Sequence, residues 1–306
     1  MQIPHTPVLL DEVVKAFLPV KDGLIVDCTL GYGGHTLALL NSYPNMKIAA
    51  FDRDIEAINF TKKRAANYQD RITFHHQRYS QIFKELDFGR VSGVLADIGL
   101  SSLQIDKDDR GFGFGSSKLD MRMDQSDSLS AKEVVNGYNK DELVRIFCEY
   151  GEIPNAHIVA DRIVKYRANK EIVSSKELAD IVNGIKIQNR KLKMQTLVFQ
   201  AIRIEVNREL DELNALLDGI ENSSINNAIV AIITFHSLED RVVKNKFKKW
   251  QTSCICPEFA IRCECGNNHS IGEAVTKKPL RPSPAELASN PRSSSSKLRV
   301  FHIKRG

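Results

Sequence analysis

Short apolar runs at residues 24–27, 47–52, 72–75 and 91–97 alternate with stretches of helical periodicity, and this alternation most narrows the fold. Runs this short, apolar on both faces, suit strands buried in a parallel sheet. Parallel strands need crossover connections, which the helical stretches supply, so the expected class is α/β. The next convincing strand, 228–234, comes only after about 130 residues. Helical patterns fill that interval at 130–136, 141–150, 158–170, 175–185 and 193–217. A helical block inside an alternating chain reads as an inserted domain. A last run, 298–303, is expected as an edge strand, and Ser293 to Ser296 with nearby prolines as a flexible loop. At the start, Thr6-Pro7 reads as a helix cap and first-turn proline. The stripe Val8, Leu9, Val13, Val14, Phe17 and Leu18 follows it.

At 306 residues the length suits roughly two domains of about 150 residues each. No apolar run approaches the ~18 residues of a membrane span. Asp11 and Glu12 stand where a secretory signal wants basic and then apolar residues, so a cytoplasmic protein with no membrane partner is expected. Six cysteines are too few for a disulfide scaffold. The net charge of +5 conceals an asymmetry: from Arg241 onward there are 14 Lys and Arg against 4 Asp and Glu. Residues 162–193 hold nine more basic side chains against Glu171, Glu177 and Asp180. Such clustering suits a phosphate-rich partner, because each neutralised phosphate releases a counterion.

Asp27-Cys28-Thr29-Leu30-Gly31-Tyr32-Gly33-Gly34-His35 follows the first strand and opens a helix. Glycines let backbone approach a ligand there, and the helix start offers free N–H groups. A dinucleotide fingerprint would place a third glycine at position 36, which is Thr36. Asp52 ends the second strand, where a carboxylate grips ribose hydroxyls. The pairing suits an adenosine-containing cofactor, with Asp27 better placed for an amino-acid end than for a pyrophosphate.

Several long motifs then resemble one family. They include His5-Thr6-Pro7-Val8-Leu9-Leu10, the segment 27–35, Phe51-Asp52-Arg53-Asp54, the segment 96–106, and Arg110-Gly111-Phe112-Gly113-Phe114. Leu119-Asp120-Met121-Arg122-Met123-Asp124, the segments 199–207 and 234–241, Lys278-Pro279-Leu280-Arg281-Pro282-Ser283 and Asn290-Pro291-Arg292 complete the set. Together they resemble the bacterial MraW family of small-subunit ribosomal RNA methyltransferases, from His5 to Arg299. The resemblance implies a Rossmann-like class I fold that uses S-adenosylmethionine. Its domain would comprise residues 1–106 and 213–306, with an inserted all-helical domain at 107–212 for substrate recognition. It implies methylation of a cytidine N4 amine in the decoding region of 16S rRNA, within the 30S subunit, and leaves a homodimer open. Carried over by position, cofactor contacts fall on Gly33, Gly34, His35, Asp52, Tyr79, Asp97 and Gln104. At Tyr79 the family often has Phe; the ring is kept, and the role of the hydroxyl stays open.

Cytosine N4 is a poor nucleophile, its lone pair being delocalised into the ring, and a hydrogen-bond acceptor can localise that pair. Many amino methyltransferases use an Asp/Asn-Pro-Pro-aromatic turn for this, whereas the fourth strand here ends Asp97-Ile98-Gly99-Leu100. Asp97 and His236 are the catalytic candidates, against readings as a loop-capping carboxylate and a helix cap. Phe235 is either a platform for a flipped base or a core residue. Arg110, Arg281 and Arg292 are the candidate RNA contacts, the segment 110–114 reading as a mobile substrate loop or a linker. Cys254-Ile255-Cys256 and Cys263-Glu264-Cys265 could hold a structural zinc, although two residues more often separate such ligands, or could be free thiols. No metal is assigned. Rival functions are methylation of adenine N6 and a non-catalytic RNA-binding assembly factor.

Overall fold

The computed structural model describes residues 7–186, 193–257, 260 and 262–305. The chain forms two compact units, residues 1–99 with 212–306, and residues 100–211.

The first unit is built on seven strands: β1 (Leu24–Asp27), β2 (Lys47–Asp52), β3 (Ile72–His76), β4 (Val91–Asp97), β5 (Ala228–Thr234), β6 (Gly272–Ala274) and β7 (Lys297–Ile303). Their order is β3-β2-β1-β4-β5-β7-β6. The first five are parallel, whereas β7 runs antiparallel to β5 and β6 antiparallel to β7. Strand order reverses between β1 and β4, and in open α/β sheets the crevice at such a switch point receives the ligand.

Alternate residues of β1, β2, β4, β5 and β7 enter separate cores. Val26, Phe51, Val94, Val230 and Phe301 join one cluster, with Leu213, Leu216 and Trp250. Ile25, Ala50, Leu95, Ile229 and Val300 join another, with Val13, Phe17 and Leu39. The period of two is that of a pleated strand, and because both faces are covered the strands read as unbroken apolar runs.

The helical unit has its own core, in which Val134, Leu143, Phe147, Val159, Ile163, Leu178, Val198 and Ile202 are buried. Its helices include Ala131–Gly137, Lys140–Glu149, Ala156–Arg167, Ser175–Val182 and Met194–Asn207. Capping boxes start the first two, Ser130 with Glu133 and Asn139 with Glu142. No helix among the described residues is long and apolar enough to cross a membrane.

Four local expectations need correction. Leu298 to Ile303 lie inside the sheet, because the short strand β6 covers the far side of β7. The pattern at 193–217 is two helices, Met194–Asn207 and Glu209–Asn222, separated by Arg208 at φ 52°. Buried Asn207 ends the first by accepting from Met123 N (2.8 Å) and donating to Met121 O (2.8 Å). Ser293 and Ser296 are buried in and beside the 3-10 turn Pro291–Ser295, their hydroxyls donating to the carbonyls of Asn290 (2.8 Å) and Ser293 (2.7 Å). The N-terminal stripe bends at Phe17, so a helix Leu10–Ala16 precedes a 3-10 turn Leu18–Val20. Thr6 lies outside the described residues.

Candidate active site

The turn after β1 is held from three sides. Cys28 N donates to Leu95 O (2.8 Å), Leu30 N to Phe51 O (2.9 Å) and Gly31 N to the Asp52 carboxylate (2.7 Å). Gly33 is the N-cap of the helix Gly34–Ser42 at φ 77°, and as a glycine it supplies no side-chain cap. A Cβ on Gly33 would lie 2.5 Å from Thr61 Cγ2, and one on Gly34 2.2 Å from Pro7 Cγ. Glycine is therefore demanded here by the protein's own packing as well as by the left-handed turn. Asp27 serves the same turn: its buried carboxylate accepts from Thr36 Oγ1 (2.5 Å) and Thr29 N (3.1 Å). Burial pushes its pKa up to about 6.

Asp52 closes β2 beside this turn. One oxygen accepts from Gly31 N and the other from Asp54 N (2.8 Å). Each oxygen keeps a second acceptor position, which suits a pair of vicinal hydroxyls. Burial raises its pKa. Tyr79, just beyond β3, opens the 3-10 turn Tyr79–Lys84 and is buried with Ile82 and Phe88.

Asp97 ends β4, and its N–H donates to Thr29 Oγ1 (2.6 Å). Its side chain is 22% exposed, yet Oδ1 is buried with no hydrogen-bond partner among the described residues. Burial, and then the charge of Glu239, push its pKa up to about 7. Oδ2 faces His35 Nδ1 at 3.7 Å. His35 Nε2 lies 2.9 Å from Val8 O, and facing a carbonyl it must carry the proton. Desolvation lowers the His35 pKa, so the neutral ring presents an acceptor to Asp97. When Asp97 is ionised two acceptors thus face each other, and a donor brought in by a ligand would bond to either.

His236 is the N-cap of the helix Ser237–Gln251, its Nδ1 accepting from Glu239 N at 3.4 Å. Glu239 accepts in return from Phe235 N (2.8 Å) and His236 N (3.2 Å). His236 Nε2 stands 3.0 Å from Glu239 Oε1, without hydrogen-bond alignment. The capping role read from the sequence is therefore present. Glu239 was not singled out as a site residue, although a Glu three residues after a cap is a capping-box signal. Its burial and its effect on Asp97 make it part of the site's electrostatics. The ring of Phe235 lies over Gly99, where a Cβ would meet it at 2.8 Å.

Gln104 belongs to the helical unit, where it is buried and its Oε1 accepts from Ser101 N at 3.1 Å. Arg110, in the same unit, is only 2% exposed, and its guanidinium donates to Arg122 O (3.1 Å) and Met123 O (2.8 Å). Its charge is turned into the protein, where it braces the 110–123 segment. Arg281 and Arg292 are exposed on the first unit.

A profile of the MraW methylase family matches residues 2–304. The chain belongs to that family. A protein of Campylobacter fetus subsp. fetus is 53% identical over 305 residues, covering 100% of this chain and 99% of its own. One of Campylobacter hominis is 56% identical over 311 residues, covering 100% of both. Both are named ribosomal RNA small subunit methyltransferase H. As a member of the MraW family the chain is a methyltransferase that depends on S-adenosylmethionine. The residues present fit that cofactor: a helix start at Gly34 whose N-cap Gly33 has no side chain to cap it, and the Asp52 carboxylate beside it.

Proposed function

We propose that this chain methylates the exocyclic N4 of a cytidine in the decoding region of small-subunit ribosomal RNA. The names of the relatives support the RNA class. The observation that carries the chemistry is the buried Asp97 oxygen at the carboxyl end of β4, which has no hydrogen-bond partner among the described residues.

When bound, S-adenosylmethionine supplies a methyl group already activated by its sulfonium, and the protein's task is positioning and improving the nucleophile. Asp52 holds the ribose hydroxyls, the Gly33-Gly34-His35 turn offers N–H groups to the amino-acid end, and the Tyr79 ring faces the adenine. Gln104 joins this set by its place in the family motif. Asp97 accepts a hydrogen bond from the cytidine amine, which returns the lone pair to N4 as the bond to the methyl carbon forms. His236 contacts the base or receives the departing proton, while Phe235 stacks on the flipped pyrimidine. The helical domain of residues 107–212 recognises the RNA, and Arg281 and Arg292 hold phosphates. Arg110 can join them only if its bonds to the Arg122 and Met123 carbonyls open. The substrate is rRNA within the 30S subunit, in the cytoplasm.

The test is mass spectrometry of nucleosides from 16S rRNA of cells with and without the gene. Loss of an N4-methylated cytidine, restored by the intact gene, is the expected result. An unchanged nucleoside profile would refute the assignment.

A further inference from the structure

We propose that Cys254, Cys256, Cys263 and Cys265 form a structural zinc site. Their four sulfurs all lie within 4.8 Å of one another. Cys254 to Cys263 and Cys263 to Cys265 measure 3.5 Å, and Cys265 to Cys254 measures 3.7 Å. A tetrahedron of thiolates about 2.3 Å from a zinc ion has edges of about 3.8 Å. A disulfide would need sulfurs about 2.05 Å apart, and all four thiols are free. The spacing is that of ligands around an ion.

The backbone supports the same reading. Ile255 N, between the first two cysteines, points at Cys265 Sγ (3.3 Å), and Glu264 N, between the second two, points at Cys256 Sγ (3.3 Å). Each Cys-x-Cys arm thus donates an N–H to a sulfur of the other. Such donors orient thiolates and offset their charge in a metal site. Without a cation, more than one thiolate at these distances would repel.

Burial of apolar surface does not account for the convergence. Ile255 is 62% exposed and Cys263 is exposed as well. The segment is anchored outside the cluster, where His269 N donates to Ser253 O (3.0 Å) and Ile271 N to the carbonyl of buried Trp250 (2.8 Å). A metal would close the arms between these anchors, as metal ligation does in small domains without a core of their own. The tight Cys-x-Cys spacing, which argued against a knuckle in the sequence, is accommodated by taking one pair of ligands from each arm.

The test uses the full-length chain purified without chelators, with metal content read by inductively coupled plasma and native mass spectrometry. About one zinc per chain is expected, released on titration with an organomercurial. Cobalt loading should give sulfur-to-cobalt charge-transfer bands and the intense d–d bands of a tetrahedral site. Cys263→Ser with Cys265→Ser should lower zinc occupancy more than tenfold, while Cys148→Ser retains it. Metal-free wild-type protein that stays metal-free in excess zinc, with four rapidly titrating thiols or two disulfides, would overturn the proposal. So would stoichiometric iron in place of zinc.

Discussion

Asp97 carries a carboxylate whose Oδ1 is kept from water, with no hydrogen-bond partner among the described residues, and which stands in the field of Glu239. The folded chain therefore holds its proton more tightly than the unfolded chain, and its pKa rises to about 7 from an ordinary 3.8. Between those values the native state binds more protons, so this group's contribution to stability falls as pH rises toward 7. Asp97→Asn should accordingly raise thermal stability above pH 7 by about 1 kcal/mol or more, read by calorimetry. If ionised Asp97 is the amine's acceptor, kcat/KM should climb through about pH 7, and the Asn variant should lose that limb. Asp52→Ala should weaken S-adenosylmethionine binding by about 1–3 kcal/mol in a calorimetric titration. An unchanged dissociation constant in a folded variant would remove Asp52 from the site. Asp52 and Asp97 could be singled out because each ends an apolar run; Glu239 carried a capping-box signal, but nothing in the sequence marks its burial or its charge beside Asp97.

The elements show where periodicity suffices and where it fails. β1, β2, β4 and β5 begin and end where their apolar runs do, since both faces of each are buried. The break at Arg208 had no such signal: no Gly or Pro marks it, and apolar spacing continues from Leu197 through Leu213. The left-handed residue there is fixed by tertiary contacts, those of Asn207 and the bidentate Arg203–Glu209 pair at 2.8 and 2.9 Å. In denaturant unfolding, Arg208→Gly should be neutral or stabilising by up to about 1 kcal/mol, because glycine accepts φ 52° without steric cost. Were the helix continuous, the same change would cost about 1 kcal/mol. A like argument applies to His236: His236→Ala removes a cap, and should cost about 1 kcal/mol of stability in addition to any effect on turnover.

At the scale of the molecule, the basic excess beyond Arg241 is a property of surface, not of a removable tail. Leu298, Val300, Phe301 and Ile303 fill both cores of the sheet, so truncation before β7 would unmake the first unit. The helical insertion was legible as a gap of about 130 residues between strands, and the RNA partner as clustered charge together with the family motifs. Charge reversal tests that clustering without removing β7. Arg281→Glu with Arg292→Glu should weaken rRNA binding and flatten its salt dependence, each lost phosphate contact lowering the slope by about 1. The central claim is that Asp97 promotes methyl transfer to a cytidine amine. Single-turnover transfer from labelled S-adenosylmethionine into small-subunit rRNA, at saturating cofactor and with nucleoside digestion, tests it most directly. Label should appear in N4-methylcytidine, and Asp97→Asn should slow its appearance by roughly 10²–10⁴-fold. Label on another nucleoside, or a near-normal rate in the Asn variant, would contradict the account.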